Sequence, residues 1–138
     1  MSATTFLPRI VVVDDDELLA ELLQTFLADL GYDVAYCPRG DEAFAFIQAH
    51  RPDAIILDLR MGEVGGLGVL HLLATDPRTA RIPVLLCTGV APVELQAWDE
   101  VLTRMGVPIL FKPFTLPELA AAVRALLPSD KTPVARRP

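Results

Sequence analysis

Five polar side chains that could take part in chemistry stand at, or just after, the ends of four short apolar segments. They are three carboxylates, one hydroxyl and one ammonium group: Asp14, Asp15, Asp58, Thr88 and Lys112. Carboxylates held together in a cleft repel one another and need a cation. The chain has no cluster of His or Cys, so the set favours a hard divalent ion such as Mg²⁺, which takes carboxylate and phosphate oxygens. Lys112 could contact a phosphoryl oxygen, and Thr88 could donate a hydrogen bond to it.

The segments that carry these residues have the composition of buried strands. Arg9–Val13 and Ala54–Leu59 are nearly continuous runs of aliphatic residues, as in strands covered on both faces. Between them, the apolar residues of 18–30 recur at helical spacing, with Asp16 as the predicted N-cap and Gly31 as the predicted stop. The first two carboxylates of the set are therefore predicted to lie in a strand-to-helix turn.

The whole chain alternates strand patterns with helix patterns. The predicted strands are residues 9–13, 32–37, 54–59, 83–88 and 108–111, and the predicted helices begin at about residues 17, 41, 67, 92 and 116. This alternation predicts an α/β fold with a doubly wound, five-stranded parallel sheet, right-handed crossovers and five helices. Such sheets bind ligands at the carboxyl ends of their strands, so the five polar side chains should meet at one edge. The second strand offers no polar residue there and should lie beside the site.

Length and composition favour one globular domain. The chain has 138 residues, of which 52% are hydrophobic and 22% charged. We expect residues 1–8 to be an N-terminal extension, 9–127 to form the domain, and the polar, proline-rich residues 128–138 to be a disordered tail. No apolar run approaches the roughly 20 residues of a membrane helix, and the first residues lack a signal-peptide pattern. These features predict a cytoplasmic protein without membrane contact.

The charge distribution argues against direct binding to nucleic acid. The chain carries 12 basic and 18 acidic residues. Three of the basic residues and one acidic residue lie in 128–138, so the remainder has a net charge of −8. Binding to phosphates requires clustered Lys and Arg, which this body lacks.

Cys37 and Cys87 fall in separate apolar segments, without a CxxC pattern. We expect both to be buried free thiols rather than a disulfide or a metal site.

Four short motifs together resemble the receiver domain of two-component response regulators. The motifs lie at predicted strand ends: Val12-Val13-Asp14-Asp15, Leu57-Asp58, Cys87-Thr88-Gly89 and Phe111-Lys112-Pro113-Phe114. Each motif is weak alone, but their order and positions make the resemblance specific, and it covers about residues 9–127. It implies the CheY-like strand order 2-1-3-4-5.

The resemblance implies a phosphoacceptor and a metal site. Asp58 would accept a phosphoryl group, and Asp15 and Asp58 would ligate Mg²⁺ directly. The backbone carbonyl of Arg60 would be a further ligand, and Asp14 would act on the ion through water. Neutralising charge in this way is how phosphoryl transfer is usually catalysed.

The resemblance also implies the phosphoryl contacts and the partners. Lys112 would pair with the acceptor and then with the phosphoryl group, next to a Lys112–Pro113 bond that is usually cis in this family. Thr88 would bind the phosphoryl oxygen. The donor would be a sensor histidine kinase or a histidine phosphotransfer protein, and the output a change of protein–protein contacts in a monomer or a phosphorylation-dependent dimer. Such a chain assists only its own phosphorylation and dephosphorylation, so it is not expected to be an enzyme.

Two features depart from the usual receiver pattern. Met61-Gly62 and Gly65-Gly66 replace the common Met-Pro and Asp-Gly beside the acceptor, which predicts a looser loop. Ile109 stands three residues before Lys112, where receivers often have an aromatic residue that follows the movement of the threonine at the position of Thr88. The absence of this aromatic residue predicts another route for the output signal.

Three other interpretations stay open at this point. A hydrolase could use Asp58 as a transient nucleophile on small phosphoesters, although such enzymes commonly have Asp-x-Asp and Arg60 occupies the second place. A degenerate receiver could act only as a docking or dimerisation module. The chain could also be the receiver fragment of a larger regulator with an effector domain.

Overall fold

The computed structural model describes residues 7–59, 65–89, 95–96 and 99–127. Five strands form one parallel sheet: β1 (Arg9–Val13), β2 (Asp33–Cys37), β3 (Ala54–Leu57), β4 (Val84–Thr88) and β5 (Ile109–Phe111). The five long helices of the described residues are α1 (Glu17–Asp29), α2 (Gly40–His50), α3 (Gly66–Thr75), α4 (Asp99–Met105) and α5 (Leu116–Leu126). The strand order is β2-β1-β3-β4-β5, so the expected doubly wound α/β fold is confirmed.

The register of the sheet brings the strand ends to a common edge. Val13 at the end of β1 pairs with Cys37 on one side and with Leu57 on the other. On the far side of β3, Thr88 at the end of β4 pairs with Phe111 at the end of β5. The residues that follow these strand ends must therefore lie close together at the carboxyl ends of the strands.

The core is divided by the sheet into two apolar layers. One layer joins α2, α3 and α4 to the alternate strand residues Val11, Val13, Cys37, Ile55, Leu57 and Leu86. The other joins α1 and α5 to Ile10, Val12, Ile56, Leu85 and Cys87. Each fully buried aliphatic side chain of this kind contributes about 1.5–3 kcal/mol. Both cysteines are free and buried, on opposite faces of the sheet, as expected.

Side-chain caps begin two of the helices, and one of them, Asp16, was predicted from the sequence. The Asp16 carboxylate accepts a hydrogen bond from the Leu19 backbone N–H at 3.1 Å, which confirms it as the N-cap of α1. At the start of α5, the Thr115 hydroxyl accepts from the Glu118 N–H, and the Glu118 carboxylate accepts from the Thr115 N–H. This reciprocal pair is a capping box.

Several predicted bounds differ from the structure. Strand β2 begins at Asp33, one residue later than predicted. Strand β3 ends at Leu57 rather than at Leu59, because Asp58 and Leu59 already belong to the following loop. Helix α3 begins at Gly66, one residue earlier than predicted. The apolar stripe of α1 is narrower than the leucine pattern suggests, since Leu18 is 80% and Leu22 is 51% exposed.

The predicted start of the fourth helix at Pro92 and the position of Trp98 lie outside the described residues. No helix in the described part of the chain has the length and apolarity that a membrane span requires.

Replacing Thr115 by Ala should lower the free energy of unfolding by about 1 kcal/mol, because the capping box of α5 is lost. Urea unfolding followed by circular dichroism measures the change. The control is Thr103→Ala on the exposed surface of α4, which should change stability by less than about 0.5 kcal/mol. Equal effects of the two substitutions would contradict the assignment of the cap.

Candidate functional site

Three carboxylates converge at the carboxyl edge of the sheet. Asp14 and Asp58 are 3% and 5% exposed, whereas Asp15 is open to solvent. One ligand oxygen from each lies within 4.8 Å of the other two. The structure thus brings together the acidic residues that the sequence singles out.

Asp14 is held by four hydrogen bonds. Its backbone N–H donates to the Cys37 carbonyl at 3.3 Å, and its own carbonyl accepts a 2.7 Å hydrogen bond from the Tyr36 hydroxyl. One carboxylate oxygen accepts from the Asp16 N–H at 2.9 Å. The other accepts from the Lys112 ammonium, also at 2.9 Å. Both oxygens of this side chain are therefore engaged within the protein.

Tyr36 corrects one expectation. Strand β2 was predicted to contribute nothing polar at this edge, and that was wrong, because the Tyr36 hydroxyl reaches the turn after β1. Burial raises the pKa of the Tyr36 phenol, and the nearby acidic residues Glu17, Asp14 and Asp15 raise it further. The hydroxyl is thus protonated and able to donate at neutral pH. The sequence shows only a tyrosine near the end of the second predicted strand, and the structure places it opposite Val12, two positions before Asp14.

Lys112 lies between two of the carboxylates. Its Nζ atom is 2.9 Å from Asp14 Oδ2 and 3.5 Å from Asp58 Oδ2, so it is closer to Asp14 than to the predicted acceptor. Burial disfavours the charged ammonium, but the hydrogen bond to Asp14 and the charges of Asp14 and Asp58 outweigh burial and raise its pKa. The side chain is therefore a permanent positive charge in the site. The Lys112–Pro113 peptide bond is cis, as the resemblance implied.

The end of β4 contributes a buried hydroxyl and a buried thiol. Thr88 is fully buried, and its carbonyl accepts from the Lys112 N–H at 2.7 Å. Burial raises the pKa of the neighbouring Cys87 thiol to about 12; the Lys112 charge opposes this, while Asp14 and Asp58 add to it. Cys87 is accordingly a neutral thiol, and neither a nucleophile nor a metal ligand at neutral pH.

Gly66 fits directly beneath the backbone of the predicted acceptor. A Cβ atom at position 66 would lie 2.2 Å from the Asp58 carbonyl oxygen and 2.8 Å from the Leu59 Cα. The Gly66 N–H also donates to the Leu59 carbonyl at 2.9 Å. The looser loop was predicted from Gly62 and Gly65, which replace the common Pro and Asp, whereas Gly66 matches the common Gly. At position 66 the role of glycine is steric, since only hydrogen fits there.

Two other features singled out in the sequence are not part of the described acidic cluster. Arg60, whose carbonyl was predicted as a metal ligand, and the Met61-Gly62 pair lie outside the described residues. Ile109 opens β5 opposite Leu86 and packs, partly buried, against the layer formed with α2, α3 and α4. Ile109 is thus a core contact, two residues before Phe111, which is the β5 partner of Thr88.

The acidic cluster fits a small divalent cation. Two oxygens bound to one Mg²⁺, each at about 2.1 Å, lie at most about 4.2 Å apart. The Asp15 and Asp58 oxygens lie within 4.8 Å of each other, so side-chain shifts of less than about 1 Å would bring this pair into range, and the Asp14 oxygen lies within the same distance of both. Lys112 supplies one positive charge against three negative ones, which leaves a net attraction for a cation.

Comparison with known proteins identifies the family. The family model of the response regulator receiver domain matches residues 10–124. This chain belongs to the response regulator receiver domain family. Two-component response regulators carry such domains, so the expected resemblance is confirmed.

Individual relatives agree with this assignment. The DNA-binding dual master transcriptional regulator RpaA of Synechocystis is 37% identical over 95% of this chain, and the phosphate regulon regulatory protein PhoB of Rhizobium meliloti is 37% identical over 93%. The chain spans 54% and 56% of the lengths of these relatives, about half of each.

Solved receiver structures share the fold. The chemotaxis response regulator CheY4 of Vibrio cholerae superimposes with a TM-score of 0.78 at 25% identity, over 88% of this chain and 99% of that one. The signal receiver domain of a histidine kinase from Syntrophus aciditrophicus gives 0.76 at 30% identity, over 95% of this chain and 98% of that one.

Replacing Gly66 by Ala should destabilise the protein by about 1–3 kcal/mol, because the new methyl group displaces the backbone at Asp58 and Leu59. The matched control is Gly68→Ala in the same helix, where an added Cβ atom would meet nothing within 4 Å. The control should be neutral or stabilising by up to about 1 kcal/mol, since Ala favours helix over Gly. Urea unfolding of both variants tests this, and a stable Gly66→Ala protein would refute the steric role.

Cys87 should make the protein less stable at alkaline pH. Its folded pKa of about 12 lies above the ordinary value of 9.0, so its contribution is complete below pH 9 and is lost as the pH rises towards 12. At pH 10 the loss is about 1 kcal/mol. Urea unfolding of the wild type and Cys87→Ala at pH 8 and pH 10 should show a smaller decline in the variant, and parallel declines would contradict the raised pKa.

Proposed function

We propose that this chain is a phosphorylation switch in which Asp58 accepts a phosphoryl group in a Mg²⁺-dependent reaction. The observation that supports this most directly is the arrangement at the sheet edge. Carboxylate oxygens of Asp14, Asp15 and Asp58 lie within 4.8 Å of one another, and the Lys112 ammonium contacts both Asp14 and Asp58. Such a site can neutralise the charge of an incoming phosphoryl group beside a carboxylate nucleophile.

Each residue has a distinct role in the proposed reaction. Asp15 and Asp58 would hold Mg²⁺ directly and Asp14 would hold it through water, with the Arg60 carbonyl as a further ligand on the strength of the family resemblance. When bound, the ion would neutralise negative charge on the phosphoryl oxygens and on the acceptor. Both Asp14 oxygens accept hydrogen bonds within the protein, which supports an indirect role for this residue.

The transfer itself exchanges one bond for another. A carboxylate oxygen of Asp58 attacks phosphorus, a phosphorus–oxygen bond forms, and the phosphorus–nitrogen bond of a phosphohistidine breaks. The imidazole nitrogen leaves with the electron pair of that bond. Lys112 then contacts the phosphoryl group, and the Thr88 hydroxyl donates a hydrogen bond to one of its oxygens. Because Asp58 is nearly buried, the product is an acyl phosphate with limited access to water.

The donor would be a sensor histidine kinase or a histidine phosphotransfer protein, acting in the cytoplasm. The chain itself would turn over no external substrate and would assist only its own phosphorylation and dephosphorylation. RpaA is described as a DNA-binding transcriptional regulator and is about twice as long as the matching region. By that analogy we infer that this chain regulates a partner or an effector domain through changed protein contacts, while its acidic body does not contact nucleic acid.

Incubation with acetyl phosphate and Mg²⁺ should add one phosphoryl group at Asp58, located by mass spectrometry. Asp58→Asn should remove the modification, and chelation of Mg²⁺ should prevent it in the wild type. Asp29→Asn, which changes an exposed carboxylate on α1, is the control and should behave as wild type. If the wild type binds no Mg²⁺ and remains unmodified, the docking-module interpretation replaces this proposal.

A further inference from the structure

Tyr36 makes a contact with the acidic turn that the proposed reaction does not yet use. Its hydroxyl donates to the backbone carbonyl of Asp14 at 2.7 Å, from the neighbouring strand β2. The Asp14 carbonyl belongs to the peptide unit that leads into Asp15. A peptide unit is planar, so an atom that fixes this carbonyl also fixes the N–H and Cα of Asp15.

Asp15 depends on its backbone for its position. Within the described part of the chain, its carboxylate makes no hydrogen bond or ion pair, and the side chain is exposed. Asp14, by contrast, is held by its own carboxylate through the Asp16 N–H and Lys112. The Asp14–Asp15 peptide unit therefore sets the position of the Asp15 Cα atom, from which its carboxylate extends.

We propose that Tyr36 is a positioning residue for Mg²⁺ binding, because its hydroxyl fixes the Asp14–Asp15 peptide unit and thereby orients the Asp15 carboxylate towards Asp58. This inference rests on the proposed function, since it assigns Tyr36 a part in the same site. Partners that orient a ligand without touching the ion commonly change metal affinity about 10–100-fold. Tyr36 acts one step further away, through the backbone, so a smaller effect is expected.

Strand pairing alone does not account for this hydrogen bond. The β1–β2 ladder is complete from Arg9 to Val13, and the Asp14 N–H already extends it to the Cys37 carbonyl. The Tyr36 hydroxyl therefore acts beyond the end of the ladder, on the turn that carries the acidic residues. Its removal should disturb the turn while leaving the strands paired.

The test compares Tyr36→Phe with Tyr32→Phe. Tyr32 stands just before the amino-terminal end of β2, whereas the site lies at the carboxyl ends of the strands. Its variant therefore removes a hydroxyl of the same kind far from the site. Calorimetric titration with Mg²⁺ should show a dissociation constant raised about three- to tenfold in Tyr36→Phe and unchanged in Tyr32→Phe. The Mg²⁺ concentration for half-maximal phosphorylation by acetyl phosphate should rise by the same factor, with the rate at saturating Mg²⁺ retained.

A second measurement needs neither metal nor phosphate. In the metal-free Tyr36→Phe protein, amide hydrogen exchange should be faster at Asp15 and Asp16 than in wild type, with exchange in the β1 and β3 strands unchanged. Faster exchange throughout the sheet would indicate a general structural role and would overturn the inference.

The outcomes separate the two proposals. Wild type and Tyr36→Phe proteins that bind Mg²⁺ equally would overturn the role of Tyr36 and leave the phosphorylation switch intact. A wild type that binds no Mg²⁺ would overturn the switch, and the inference with it. A weaker affinity in Tyr36→Phe alone, with faster exchange confined to the turn, is the result that we expect.

Discussion

The mutual repulsion of Asp14, Asp15 and Asp58 is the constraint on which the rest of the structure depends. Two of these side chains are almost fully buried, where the effective dielectric is low and like charges are costly. The fold offsets part of this cost with the Lys112 ammonium, which reaches two of the carboxylates, and with the Asp16 N–H. One positive charge does not balance three negative ones. The remaining imbalance costs stability in the free protein, and in the proposed function it would favour the binding of a divalent cation.

The sheet makes this arrangement possible by fixing the backbone of each contributing residue. Three hydrogen bonds continue the parallel ladders past the strand ends: Asp14 N–H to Cys37, Asp58 N–H to Val13 and Lys112 N–H to Thr88. The side chains therefore start from rigid positions, although their residues stand in loops. Rigid placement matters for the proposed reaction, because the acceptor, the cation and the ammonium group would each have to be positioned to within a fraction of an ångström. The apolar layers on both faces of the sheet supply the stability that holds the charged edge in place.

A further set of residues shapes the site without carrying charge. Gly66 lets α3 approach the Asp58 backbone, and Tyr36 ties β2 to the acidic turn. Cys87 is kept as a neutral thiol by burial, so it would not compete with Asp58 in the proposed reaction. The acidic site forms although the sequence departs from the common receiver pattern at Gly65 and Ile109.

The sequence by itself determined the fold class, the strand order through its resemblance to receiver domains, and the convergence of five polar residues at one edge. It could do so because strand and helix periods are local, and because parallel strands must end together. Only the tertiary structure decided that Lys112 lies nearer to Asp14 than to Asp58, that Gly66 is a steric requirement, and that Tyr36 reaches across from β2. Each of these depends on distances between residues remote in the chain. Residue type and spacing carry no information about such distances until the elements are packed.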